Sequence, residues 1–83
     1  MANKKVVEKI IKDTEERLAQ SKEALEMTEI MERFARRRAI MKPVQGDQML
    51  LETTKKINTL KVVIKTDEEF LKFLSEIKDE KAL

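Results

Sequence analysis

The stretch Lys42–Asp47, KPVQGD, holds the chain's single proline and single glycine, and its reading decides how both flanks fold. A residue before proline is pushed out of the helical region, glycine permits a positive φ, and aspartate caps a following helix. The segment is therefore read as a turn over 42–47 that folds the chain back on itself. Upstream, Asn3–Lys42 lacks Pro and Gly and is dominated by Glu, Lys, Ala, Leu and Met, so one helix over about 3–41 is expected. At ~1.5 Å per residue it would be about 60 Å long. A globule built from 83 residues has a radius of gyration of roughly 12 Å, so such a helix needs a partner along its length.

That helix carries two apolar stripes. Val7, Ile11, Leu18 and Leu25 recur at four- and seven-residue spacings, and Thr14, Ser21 and Thr28 in the alternate heptad positions complete the three-four pattern. This is the expected oligomer or partner stripe. Small side chains there allow close approach, and a Thr or Ser hydroxyl can bond its own i−4 carbonyl. Met27, Ile30, Met31, Phe34 and Met41 form a second stripe, roughly 150° around the helix from the first. Either the two halves meet different partners, or the helix breaks between about Glu26 and Glu29.

Downstream of the turn, Met49, Leu50, Ile57, Leu60 and Ile64 predict a helix over about 48–64. LKVVIK (60–65) alternates like a strand, but no second strand is present for it to pair with. Thr66, followed by Glu69 three residues later, reads as a capping box, so a shorter third helix is expected over about 67–81, burying Phe70, Leu71, Phe73, Leu74 and Ile77. The fold class is thus all-α: a single domain, 1–83, made of a helical hairpin with a long or kinked first helix plus a shorter C-terminal helix, assembling into an oligomeric helical bundle. Six acid-to-base pairs at i,i+4, from Glu8–Lys12 to Glu68–Lys72, support the helices.

Composition narrows the chemistry. There is no Cys and no His, which removes disulfides, Cys/His metal sites and His-based general bases or nucleophile pairs. One glycine cannot build a phosphate cradle. No catalytic, cofactor-binding or metal residue is assigned, no cofactor is expected, and the carboxylates Glu15/Glu16, Glu26/Glu29/Glu32 and Asp67/Glu68/Glu69 are read as solvated acids. The chain is expected to be no enzyme and to have no small-molecule substrate. No apolar run approaches the ~20 residues of a membrane span, and a cytoplasmic protein without membrane contact is expected.

Charge is uneven. Residues 33–65 carry nine basic and two acidic side chains, while 1–32 sum to −2 and 66–83 to −3. Folding at 42–47 would gather Arg33, Arg36, Arg37, Arg38, Lys42, Lys55, Lys56 and Lys61 toward a basic tip able to meet an anion or an acidic partner. The same arginines also offset the negative end of their own helix. Together these features predict a small helical interaction or regulatory protein, acting as a homodimer and offering a helical surface to another protein. A nucleic-acid-binding regulator using the basic tip is the alternative, and a small inhibitor of a host or viral machine is a further one.

Overall fold

The seven-residue period that starts at Val7 does not stop at Leu25. The computed structural model describes residues 3–79, and in it one unbroken helix, α1, spans Lys4–Met41. Val7, Thr14, Thr28 and Ala35 are buried along it, with Ile11, Leu18, Ser21, Leu25, Glu32 and Ala39 half-buried beside them. The break considered near Glu26–Glu29 is absent. Thr28, Glu32, Ala35 and Ala39 occupy the stripe beyond Leu25, so hydrophobicity fades there while the register continues. Asn3 starts the helix in an extended conformation, its side-chain Oδ1 accepting the Lys5 N–H at 2.8 Å.

The second helix, α2, spans Pro43–Asp79 without interruption. Two expectations are thereby corrected. There is no joint at Lys65 or Thr66 and no separate third helix over 67–81, of which residues 80 and 81 lie outside the described residues. The register explains why. Gly46, Thr53, Leu60, Asp67 and Leu74 recur in sevens, and Leu50, Ile57, Ile64 and Leu71 run beside them, all buried or half-buried. This stripe runs through Thr66, whose side chain is exposed and whose capping-box spelling was local coincidence. LKVVIK is helical for the same reason.

The turn is also tighter than 42–47. Lys42 alone leaves the helical region (φ −138°, ψ 80°), its N–H donating to Arg38 O at 2.7 Å and its carbonyl accepting the Gly46 N–H at 2.9 Å. Pro43 is the first residue of α2, where a missing N–H costs nothing and its fixed φ is already helical. Asp47 lies inside α2 rather than capping it. Gly46 has no positive φ; its role is contact. A Cβ at Gly46 would sit 2.2 Å from Ala39 Cα and 2.3 Å from Ala39 N, so only glycine lets the helices approach this closely just past the turn.

The helices run antiparallel, and residues equally far from Lys42, to within one position, stand side by side, as Arg17 with Asp67 and Ala39 with Gly46 show. The result is a rod with extents of 61 × 14 × 12 Å and a radius of gyration of 18.4 Å, not the globule of roughly 12 Å that the chain length allows. Its seam is thin. Val7, Ala35, Ile57 and Leu74 are its buried apolar residues among those described, interleaved with Thr14, Thr28, Thr53 and Asp67. The threonines act as small spacers: Thr28 Oγ1 donates to Ala24 O at 2.7 Å and Thr53 Oγ1 to Met49 O at 3.0 Å, each within its own helix.

Candidate interaction faces and the seam ion pair

Because the seam repeats every seven residues, the residues flanking it are fixed by count. On one side of α1 lie Ile10, Arg17, Ala24, Met31 and Arg38, and outside them Val6, Asp13, Gln20, Met27, Phe34 and Met41. The corresponding series of α2 are Met49, Lys56, Val63, Phe70 and Ile77, and Gln45, Glu52, Thr59, Thr66 and Phe73. Antiparallel direction brings equivalent flanks of both helices to the same side of the rod. The cross-helix hydrogen bond from Arg38 Nη2 to Gln45 Oε1, 3.0 Å, joins the two. One long face therefore carries Val6, Ile10, Met27, Met31, Phe34, Val63, Phe70 and Phe73, all exposed. Phe34 and Phe73 remain 51% and 54% exposed.

The opposite side is charged. Glu8, Glu15, Lys22, Glu29 and Arg36 of α1 line it with Asp47, Lys61 and Glu68 of α2. Leu51 is an apolar exception on that side, and the turn itself exposes Ile40 and Val44, each 84% accessible. One shallow depression of about 290 Å³ is formed by α1 alone, from Glu26, Glu29, Ile30 and Arg33. Among the described residues no group of three His, Cys, Asp or Glu side chains is placed to hold a metal ion, and no helix is long and apolar enough to cross a membrane.

The expected stripe residues Val7, Ile11, Leu18 and Leu25 are together, and what they meet is the chain's own second helix. The expected basic residues are spread out. Arg33, Arg36, Arg37, Arg38 and Lys42 lie near the turn. With the turn reduced to Lys42, Lys55 and Lys56 stand about 20 Å from the tip and Lys61 about 28 Å, at ~1.5 Å per residue. Lys65, the last residue of the basic stretch, stands about 35 Å from the tip for the same reason. Arg36 pairs with Glu32 at 3.3 Å and Arg38 with Gln45. Helical rotation sends Arg38 and Lys56 to the apolar side and Arg33, Arg36 and Lys61 to the charged side, with Arg37 and Lys55 on the outer backs of their helices.

Sequence reasoning missed the ion pair in the seam. Arg17 Nη2 meets Asp67 Oδ1 at 2.8 Å, and Arg17 Nε meets Oδ2 at 3.2 Å, a two-pronged grip between helices. The i,i+4 spacing gives Arg17 a local partner in Asp13, and Asp67 reads as one of a solvated acidic cluster. Reading α2 as one heptad register would have put Asp67 between Leu60 and Leu74, where a carboxylate needs a partner. Asp67 is 5% exposed. Hydrogen bonding to Asp67, then its charge, raises the Arg17 pKa from its already high value. A raised basic pKa contributes stability at every pH below the unfolded value and loses it only above that range, so Arg17 stays charged wherever proteins are ordinarily handled. At the open end, Glu8 Oε1 and Lys78 Nζ are 3.9 Å apart.

The pair fixes register more than it stabilises. A charged pair in a helix seam is often no better than well-packed apolar residues, whereas removing one partner leaves a costly remnant. Asp67→Leu is therefore expected to leave the thermal midpoint unchanged or raise it. Arg17→Ala is expected to lower it, and Arg17→Ala combined with Asp67→Leu to recover the loss. Thermal melts followed by circular dichroism at fixed concentration check all three. Compared with family models, curated proteins and solved structures, the chain matches none.

Proposed function

We propose that this chain is a small, non-enzymatic helical interaction protein that works as a homodimer, closing its apolar face on a second copy and offering its charged side and basic turn to a macromolecular partner. The observation that carries the reading is the division of the rod: Met27, Met31, Phe34, Phe70 and Phe73 are exposed on one side, while the other is lined mainly by acids and bases. A soluble monomer rarely exposes so many large apolar side chains along one face, and such clusters mark association surfaces. Sedimentation equilibrium at micromolar concentration is expected to return twice the chain mass of 9.7 kDa; a stable species of single-chain mass would remove the dimer.

A nucleic-acid-binding role at the turn has narrower support, from Arg33, Arg36, Arg37 and Lys42 standing near one end of the rod. It requires retention on heparin near physiological salt, abolished when Arg36, Arg37 and Arg38 are together replaced by alanine.

A further inference from the structure

Building on the homodimer reading, we infer that the two rods dock face to face and antiparallel, the turn of each beside the open end of the other, giving a four-helix bundle. Three observations support this. First, the apolar face is self-complementary about its middle. Met31, Phe34 and Met49 stand 11, 8 and 7 residues from Lys42, while Ile10, Phe70 and Phe73 stand 6, 9 and 6 residues from the far helix ends Lys4 and Asp79. Reversing one rod places each cluster over the other. The small side chain of Ala24, with Val63 beside it, falls at the crossing point.

Second, the footprint is adequate. A face 61 Å long and 14 Å wide covers about 850 Å², close to the ~800 Å² per partner of a standard stable interface. Third, charge selects the direction. The half of the rod nearer the turn, residues 24–61, has eight basic and five acidic side chains, net +3. The remainder has ten and eleven, net −1. Docking turn against turn would set +3 on +3, whereas antiparallel docking sets +3 on −1 at both ends, and like-charge juxtaposition suppresses the wrong arrangement.

The chain has no Cys, so single introduced thiols report cleanly. A spin label at Ile40→Cys, at the exposed turn, is expected to give an inter-label distance of about 60 Å in the dimer, the length of one rod. Labels at Ala24→Cys are expected to lie within roughly 20 Å of each other, since the packed helices that carry them are 8–10 Å apart. A dimer in which the Ile40 labels are the close pair would overturn the antiparallel arrangement and leave the homodimer standing. A sample that sediments as a monomer and shows no inter-label distance would overturn both. Sedimentation of each labelled variant, alongside unlabelled chain, keeps these outcomes apart.

Discussion

Gly46→Val is expected to open the turn end of the hairpin and to be among the most destabilising single changes in the chain. The added Cβ would stand 2.2 Å from Ala39 Cα and 2.3 Å from Ala39 N, against the 3.5–4.0 Å at which carbon atoms rest. Since those atoms are backbone, no rotamer change relieves the overlap, and the helices must separate by more than an ångström. Lys42 is the sole non-helical residue of the link, so there is no slack to absorb the movement locally. Overpacking of a tight contact costs about 1–3 kcal/mol, and valine's branched atoms add to it, so a loss of about 3 kcal/mol is expected. Gly46→Ala should lose less, because alanine regains about 1 kcal/mol of helix propensity. A control separates backbone overlap from side-chain crowding. Ala39→Gly removes only the Ala39 Cβ, 2.7 Å from the added atom, so the double variant with Gly46→Ala should recover little. Urea midpoints at fixed protein concentration measure all of these; full recovery in the double variant would show that the contact is side chain on side chain.

How much of this was legible in the chain depends on which residues carry each feature. The hairpin was, because Lys42–Pro43 is a local backbone constraint that disfavours helix at Lys42 whatever surrounds it. The first half of the seam was, because Val7, Ile11, Leu18 and Leu25 are large and regularly spaced. The second half of α1 and the continuity of α2 were harder, since Thr28, Glu32, Ala35, Ala39, Gly46 and Asp67 interrupt the aliphatic seam. None of these is strongly hydrophobic, and three are suited to helix ends. The larger apolar residues Met31, Phe34, Phe70 and Phe73 sit outside the seam, so hydrophobic periodicity followed the exposed face and reported it as a break in α1 and a joint in α2. Both supposed discontinuities mark one fact: near the turn the chain places mostly small residues where its own helices touch, and it leaves all three phenylalanines where they do not. The basic residues were legible as a charge bias but not as a surface, because rotation along two helices distributes them around the rod.

That inversion of size leads to the prediction with the largest expected effect: folding and association should be one transition, and Met31→Glu with Phe34→Glu should abolish both. Two helices held by four buried apolar side chains, among the described residues, by leucines and isoleucines that are only half-buried, and by interleaved threonines have little to set against chain entropy. Isolated helices gain most of their stability from an apolar face that is packed away. Covering Met31, Phe34, Phe70 and Phe73 supplies that, at about 1.5–3 kcal/mol for each large apolar side chain buried. In a two-fold dimer each substitution acts twice, so the double variant removes four such burials, about 6 kcal/mol at the lower bound, or roughly four decades in Kd. Placing carboxylates against an apolar partner adds further cost. Loss of helical circular dichroism should accompany loss of the dimer at micromolar concentration. The unsubstituted chain should melt at a temperature that climbs with concentration, as mass action requires of a dimer that unfolds as it dissociates. Leu51→Glu is the control for each introduced carboxylate, adding one such charge at an exposed apolar residue, 56% accessible, on the side away from the interface. It should change neither mass nor melting by more than a few degrees. A double variant that stays as helical as the unsubstituted chain while sedimenting as a single chain would mean that the hairpin stands alone, and that its large exposed side chains serve a partner other than itself.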